Sequence, residues 1–111
     1  MKVEILYFDG CPSFAELLPR VREIVIESGG DAGEIELRAV ETVEAADAAR
    51  FLGSPTVRVN GLDVDPTAAG REDFGLKCRI YRSDEGQAPT PPDAWIRAAI
   101  VVPGNDRRTD V

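Results

Sequence analysis

Hydrophobic residues form a nearly continuous run at positions 3–8, and Gly10 follows closely behind it. A run of this kind is typical of a strand that is buried on both faces of a sheet. From Pro12 onward, apolar residues recur at helical spacing as far as position 28, with charged residues on the opposite side. The glycine pair at 29–30 suits a helix end, because glycine accepts the left-handed backbone conformation. The pattern therefore predicts a buried strand followed by a long amphipathic helix.

The remainder of the chain carries shorter patterns of the same two kinds. Thr42 and Thr90 stand where helix N-caps are expected, and Asn60-Gly61 is a strong signal for a tight turn. In chain order the pattern predicts a strand at 35–41, a helix at 43–52, a strand at 56–59, a polar loop at 62–75, a strand at 76–81 and a helix at 91–101. The predicted order is β-α-β-α-β-β-α, which is an α/β fold.

This order restricts how the strands can pair. A first β-α-β unit requires parallel strands joined by a right-handed crossover, whereas the closing pair of strands must be antiparallel. We therefore expect a four-stranded mixed sheet with helices on both faces. At 111 residues the chain is long enough for one hydrophobic core. The expected organisation is a single domain at 1–102 and a frayed tail at 103–111.

The charge of the chain argues against two classes of partner. There are 20 acidic and 13 basic side chains, which gives a net charge of −7 at pH 7. Nucleic acid and anionic membranes both attract cationic faces, so neither is expected as a partner. No apolar run has the length needed to cross a bilayer, and the first ten residues lack the features of a signal peptide. A cytoplasmic location is the expectation.

The histidine and cysteine counts narrow the chemistry. The sequence has no histidine, which removes the most common general base and the most common metal ligand. Its two cysteines, Cys11 and Cys78, are too few to build a four-thiolate zinc site alone. We therefore expect no bound metal and no cofactor, and chemistry that is carried by a thiol, by carboxylates or by backbone groups.

Cys11 lies at the junction between the first strand and the first helix. Pro12 fits the first helical turn, where its missing N–H would have had no partner. Cys11 is then the cap residue, exposed at the helix start, with its sulfur facing the free N–H groups of Ser13 and Phe14. These donors and the helix dipole favour the thiolate, while the nearby Asp9 opposes it. Cys11 is the candidate nucleophile.

Two motifs carry a resemblance to a known family. Cys11-Pro12-Ser13-Phe14 opens a helix that contains Pro19, and Gly53-Ser54-Pro55-Thr56-Val57 opens the third strand. Together they resemble the thioredoxin superfamily, in which a Cys-x-x-Cys motif opens a proline-kinked helix and a cis-proline opens the third core strand. The segments FDGCP and GLKCRIY are also similar to those of small bacterial thioredoxin-like proteins. The resemblance implies sheet order 2-1-3-4, with the last strand antiparallel to the third, and a cis Ser54–Pro55 bond.

The first motif departs from the family pattern at its fourth position. Phe14 stands where the second cysteine would be, so the resemblance implies a single-thiol site with Cys11 as the redox or thiol-exchange nucleophile. The cis-proline would shape a groove, in which the backbone of the residues beside it pairs with an extended peptide. The residues expected to contact the substrate are Pro12, Ser13, Ser54, Pro55 and Thr56.

Cys78 alternates with Leu76 and Ile80 along the predicted strand at 76–81, which favours a small buried core residue. The alternative is that Cys78 is a resolving thiol for Cys11. This strand is expected at the edge of the sheet, away from the Cys11 loop, whereas a disulfide needs Cα atoms within about 7 Å. Core packing is therefore the preferred interpretation.

Charged residues in the second half of the chain are expected on the surface. Arg79 and Arg82 suit a solvent-facing edge strand; the alternative is that they hold an anionic partner such as glutathione. Asp63 and Asp65 lie in the polar loop at 62–75, which lacks the ligand spacing of a calcium loop. A solvated acidic loop is the expectation there.

Three functional hypotheses follow from these observations. The favoured one is a monothiol thioredoxin-like protein, a thiol–disulfide oxidoreductase whose partner is a thiol- or disulfide-containing protein or small molecule. The second is a non-catalytic binding or scaffold module with the thioredoxin fold. The third is a binder of thiophilic metal or metalloid species, which a pair of thiols would suit. The position of Cys11 at a helix start favours the first hypothesis.

Overall fold

The computed structural model describes residues 2–100, and the predicted tail lies outside them, as does the end of the predicted last helix. The elements are β1 (Val3–Tyr7), α1 (Pro12–Glu27), β2 (Glu36–Ala39), α2 (Val43–Ala48), β3 (Thr56–Val59), β4 (Leu62–Asp63), β5 (Tyr81–Ser83), β6 (Gly86–Ala88) and α3, whose described residues are 93–100. Short 3-10 helices occur at Ala32–Glu34 and Ala68–Gly70.

Four of the strands form one mixed sheet in the order β2-β1-β3-β4. Strand β1 is parallel to β2 and antiparallel to β3, and β4 is antiparallel to β3. In this register Ile5 lies between Leu37 on one side and Val57 on the other. The predicted α/β class and the four-stranded mixed sheet in the order 2-1-3-4 are therefore confirmed.

The last strand of the sheet comes from a different segment than predicted. It is β4, whereas residues 76–80 form no strand and Tyr81 begins a separate hairpin of β5 and β6. The Asn60-Gly61 turn explains the difference, because both residues have positive φ (54° and 84°). That geometry suits a two-residue hairpin turn, which folds the chain back onto β3 at once. The polar segment after the turn therefore takes the edge position.

The core has two parts, one on each face of the sheet. On the first face, β1 and β3 pack against α1 and α3 through Val3, Ile5, Leu17, Val21, Ile24, Val25, Val57, Val59, Ile96 and Ile100. On the second face, Leu6 packs with Val40, Ala46 of α2 and Phe51. Helices therefore cover both faces, as predicted, and the C-terminal end of β1 lies between the two parts of the core.

Helix α1 begins directly after Cys11. Pro12 occupies its first turn, where a missing N–H leaves no hydrogen bond unmade. Pro19 lies inside the helix and is exposed, so it does not interrupt the buried face. Within residues 2–100, no helix combines the length and the apolar character needed to cross a membrane.

Candidate thiol site

Cys11 occupies the tight connection between β1 and α1. Its N–H donates to the carbonyl oxygen of Phe8 at 3.3 Å, which closes a turn over Asp9 and Gly10. The residue caps α1 in an extended conformation, but its side chain makes no hydrogen bond to the helix N–H groups. Cys11 is also only 6% exposed. The expectation of an exposed cap residue bonded to helix donors is therefore wrong, because the turn folds Cys11 inward against its neighbours.

Two aromatic rings flank the Cys11 turn in the sequence. Tyr7 at the end of β1 stacks on Phe14 in the first turn of α1, with ring centroids 3.9 Å apart and planes 6° from parallel. Stacked aromatic pairs add stability beyond the area that they bury, so this contact helps to hold the end of β1 against the start of α1.

The segment that leads into β3 meets the Cys11 turn. The Ser54–Pro55 peptide bond is cis, which confirms the prediction. The Ser54 hydroxyl oxygen accepts a hydrogen bond from the N–H of Phe8 at 3.4 Å, and the oxygen of that same Phe8 accepts from Cys11. Ser54, Pro55 and Thr56 are all buried. Phe8 therefore links the cysteine turn to the cis-proline segment.

The backbone of Ser54 is already paired with another part of the chain. Its N–H donates to the carbonyl oxygen of Lys77 at 2.8 Å, and its carbonyl oxygen accepts from the N–H of Arg79 at 3.0 Å. These two bonds make an isolated parallel bridge between Ser54 and Cys78. The Ser54 groups that were expected to hold an extended peptide are therefore used by residues 77–79.

Gly53 permits this close approach. Its φ is +128°, and a Cβ atom at this position would lie 3.0 Å from both the Lys77 carbonyl oxygen and the Arg79 Cβ. These contacts are tighter than nine in ten real Cβ contacts, so a side chain here would force residues 77–79 to shift by a few tenths of an ångström. A glycine is required both for the backbone conformation and for the space.

Cys78 is exposed, and both cysteines are free thiols. Leu76 and Ile80, its expected partners on a buried face, are 39% and 46% exposed. The prediction that Cys78 packs in the core is therefore wrong, and Cys78 instead pairs with Ser54 through an isolated bridge. Apolar and polar residues do alternate along 76–80, but the polar face of the segment, not the apolar one, is directed into the protein.

Arg79 is the residue that turns inward, with 2% of its surface exposed. Its guanidinium donates to Asp63 at 2.7 and 3.1 Å, to Thr56 at 3.0 Å and to Asp65 at 3.4 Å. It also lies 4.4 Å from the centroid of the Tyr81 ring, which adds a cation–π contact. The predictions of a surface arginine and of a fully solvated acidic loop are therefore wrong: the two carboxylates make burial of the cation tolerable.

Burial and nearby charges shift the pKa values of Arg79 and Tyr81 in opposite directions. Burial disfavours the charge on Arg79, but the carboxylates of Asp63 and Asp65 outweigh it and raise the pKa of Arg79. Burial also raises the pKa of the Tyr81 hydroxyl, against the lowering effect of Arg79. Tyr81 therefore stays neutral and donates its proton to the carbonyl oxygen of Pro55. The cluster ties the hairpin of β5 and β6 to the cis-proline.

The remaining predicted site residues lie at the same strand–helix junction. Pro12 and Ser13 directly follow Cys11; Pro12 is exposed and Ser13 is half-buried. Two surface cavities of about 470 and 480 Å³ lie elsewhere, one beside β4 and one between the β5–β6 hairpin and the start of α3. Neither of these two is lined by Cys11 or by Cys78. The structure thus links the Cys11 turn to Ser54 through Phe8, and it links Ser54 to Cys78 through a backbone bridge.

Sequence reasoning missed the buried ion cluster of Arg79 and its two carboxylates. The available signal was an arginine between apolar residues, with Asp63 and Asp65 unassigned upstream. Among residues 2–100, no group of three or more Cys, Asp or Glu side chains is arranged to hold a metal ion. Comparisons with protein-family models, with curated proteins and with solved structures gave no match.

Proposed function

We propose that the protein exchanges thiols and disulfides through Cys11 on a thioredoxin-like fold. The observation that carries the proposal is the contact of the Cys11 turn with the cis-proline segment, through Phe8 and Ser54. The sheet order and the helix that starts at Pro12 support the same resemblance. The setting that fits is the cytoplasm, a reducing compartment in which free thiols persist.

The exchange step needs only a thiol and a disulfide. The Cys11 thiolate attacks one sulfur of the disulfide, a new S–S bond forms, and the old bond breaks. The leaving thiolate takes up a proton from water, so that one disulfide is exchanged for another without any net change in oxidation. The first residues of α1 provide N–H groups and a positive dipole end near the attacking sulfur. In this proposal the substrate contacts the exposed Pro12 and the half-buried Ser13, which directly follow Cys11.

One observation favours the scaffold hypothesis as a second candidate. Cys11 is almost completely buried, and its sulfur receives no hydrogen bond from the helix N-terminus. Buried thiols in structural roles are typically inert. In that case Cys11 would be a packing residue between β1 and α1, and the groove would bind its partner without covalent chemistry.

Redox equilibration of the folded protein separates the two candidates. The reduced protein is incubated with defined ratios of reduced to oxidised glutathione, the remaining thiols are blocked with iodoacetamide, and peptide mapping reports the state of Cys11. We expect a fraction of Cys11 in disulfide form that rises with the oxidised share. Cys11 that stays reduced at every ratio, and is alkylated only after unfolding, would establish the scaffold.

A further inference from the structure

The cavity beside β4 combines an apolar lining with arginine side chains. Its volume of about 470 Å³ is within the usual range for small-molecule sites. Leu52, Ala68 and Phe74 provide apolar surface in its lining. Arg50 and Arg58 line the same cavity and provide positive charge. Neither cysteine lines it, so the cavity is separate from the proposed thiol site.

The Arg58 guanidinium is held in place by backbone groups at the end of α2. Its Nη2 donates to the carbonyl oxygens of Ala49 and Arg50 at 2.7 and 3.1 Å. Among residues 2–100, its Nε and Nη1 have no protein acceptor, so N–H donors remain for a ligand. Burial lowers the pKa of Arg58 because it removes water from the guanidinium. An anion that binds here therefore has less water to displace.

The carboxylates next to Arg58 in the sheet are bonded to other cations. Glu4 and Asp63 lie opposite Arg58 on the strands to either side of it. The Glu4 carboxylate pairs with Arg38, and the Asp63 carboxylate pairs with Arg79. In the part of the chain that the structure describes, Arg58 has no carboxylate within ion-pair distance. Its charge is therefore available to an anion in the cavity.

Arg50 is the second cation of the cavity that has no ion pair with a described residue. It is exposed, and its guanidinium carbon lies 4.9 Å from the centroid of the Phe74 ring. Arg71 also lines the cavity, but it is bonded to the Asp73 carboxylate at 3.0 and 2.7 Å. The charge of Arg50 thus lies beside apolar ring surface. This juxtaposition suits a ligand that is itself part charged and part apolar.

The second surface cavity, of about 480 Å³, differs in the state of its arginine. Arg20 lines that cavity, and it is already bonded to Asp93, to the Thr90 hydroxyl and to the Pro91 carbonyl oxygen. The two cavities are nearly equal in volume, so volume does not distinguish them. The cavity beside β4 is the one of the two that can offer charged donors to a ligand.

The acidic residues of the cavity restrict the charge of the ligand. Asp63 and Asp65 line the cavity beside β4, although Arg79 pairs with both. A doubly charged phosphate would be repelled by these carboxylates more strongly than a singly charged carboxylate would. A single negative charge therefore fits the cavity better.

We infer that the cavity beside β4 binds a small organic monocarboxylate with an apolar body. The carboxylate accepts hydrogen bonds from Arg58 and is attracted by Arg50, while the apolar body packs against Leu52, Ala68 and Phe74. Charge-assisted bonds fix the orientation of such a ligand, and burial of its apolar body adds affinity. This binding site goes beyond the proposed thiol exchange and requires neither cysteine.

Titration of the isotope-labelled full chain, followed through its backbone amide NMR signals, tests the inference with hydrocinnamate as the probe. Hydrocinnamate should shift the signals of Leu52, Ala68 and Phe74 in a saturable manner. Hydrocinnamyl alcohol has nearly the same shape without the charge, and it should bind at least about tenfold more weakly. Inorganic phosphate has the charge without the apolar body, and it should also bind at least about tenfold more weakly.

Arginine variants test the contribution of each charge. Arg50→Gln and Arg58→Gln should each weaken hydrocinnamate binding about tenfold. Arg22→Gln is the matched control, because Arg22 is exposed on α1 and does not line the cavity, and its Kd should be unchanged. Arg58→Gln also removes bonds to the end of α2. Should that variant fail to fold, Arg50→Gln decides the test, since the Arg50 side chain makes no hydrogen bond within residues 2–100.

Four outcomes would overturn the inference. Equal affinity for the alcohol would exclude the ionic contact, and equal affinity for phosphate would exclude the apolar one. Shifts confined to Ser83 and Gln87 would place the ligand in the other cavity. Equal weakening by Arg22→Gln and Arg50→Gln would reduce the binding to general surface charge.

Discussion

Arg79 and Asp63 form a two-pronged ion pair inside the protein, with Nη1–Oδ2 and Nη2–Oδ1 distances of 2.7 and 3.1 Å. The guanidinium side chain is 1% exposed and the carboxylate side chain 13% exposed. The pair joins the segment that contains Cys78 to strand β4, across an interval of chain with little regular structure. It therefore fixes the position of Cys78 relative to the main sheet.

Removal of one partner from this pair should be strongly destabilising. Asp63→Asn leaves a buried cation without its main counter-charge, and we expect a loss of about 3 kcal/mol in the free energy of unfolding. Glu27→Gln is the matched control, because it breaks the exposed pair of Glu27 with Arg97 and should change stability by less than about 1 kcal/mol. Urea unfolding measures the free energy of unfolding of both variants. Similar small losses in the two variants would mean that water solvates the Arg79 guanidinium.

Gly53→Ala should detach the segment that pairs with Ser54. The new Cβ would meet the Lys77 carbonyl oxygen at 3.0 Å, and φ of +128° is unfavourable for alanine. We expect a loss of about 2 kcal/mol or more and faster hydrogen exchange at the Arg79 N–H. Gly70→Ala is the control, since nothing lies within 4 Å of a Cβ there. Unchanged exchange at Arg79 in Gly53→Ala would contradict this role for the glycine.

Tyr81 should make stability fall at alkaline pH. Its pKa in the folded state is raised above the ordinary value near 10 by burial. The unfolded chain therefore releases this proton first, so the contribution is complete below about pH 10 and declines above it. The decline approaches about 1.4 kcal/mol per pH unit. In urea unfolding at several alkaline pH values, Tyr81→Phe should flatten the decline, whereas the control Tyr7→Phe should retain it; an equal decline in both would refute the assignment.

Arg20 connects α1 to the start of α3. Its guanidinium donates to Asp93 at 2.9 Å, to the Thr90 hydroxyl at 2.8 Å and to the Pro91 carbonyl oxygen at 2.9 Å. A lysine ammonium cannot reach three acceptors arranged around a planar fork. We expect Arg20→Lys to lose about 1–2 kcal/mol in urea unfolding. The exposed Arg22 on the same helix gives the control, as Arg22→Lys should be nearly neutral. Equal effects would show that the three bonds contribute little.

The sequence was most informative where the local pattern and the fold agree. The apolar run of β1, the helical spacing of α1 and the turn at Asn60-Gly61 all depend on near neighbours, and the first two elements formed close to their predicted bounds. The cis bond at Pro55 and the sheet order followed from the family resemblance. Local periodicity and motif order were therefore enough for β1, β2 and β3, but they assigned the fourth strand of the main sheet to the wrong segment.

The segment at 76–80 shows where periodicity fails. Leu76, Cys78 and Ile80 have the alternation of a buried strand face, yet the opposite face is buried because Arg79 finds carboxylates that are 14 and 16 positions away. Such a partnership depends on tertiary contacts that a window of neighbouring residues does not contain. For the same reason, the burial predicted for the two cysteines was the opposite of the burial observed. The pairing of Cys78 with Ser54 was not predicted either.

The pairing of Ser54 with residues 77–79 also makes access to the groove depend on a local opening equilibrium. A partner protein that pairs one of its strands with Ser54 can bind only those copies of this protein in which residues 77–79 have detached from Ser54. Its apparent Kd is the intrinsic value divided by the open fraction, so an opening free energy of about 3 kcal/mol weakens binding about 150-fold. Under the proposed function, residues 77–79 would therefore act as a tethered competitor of any peptide that pairs with Ser54.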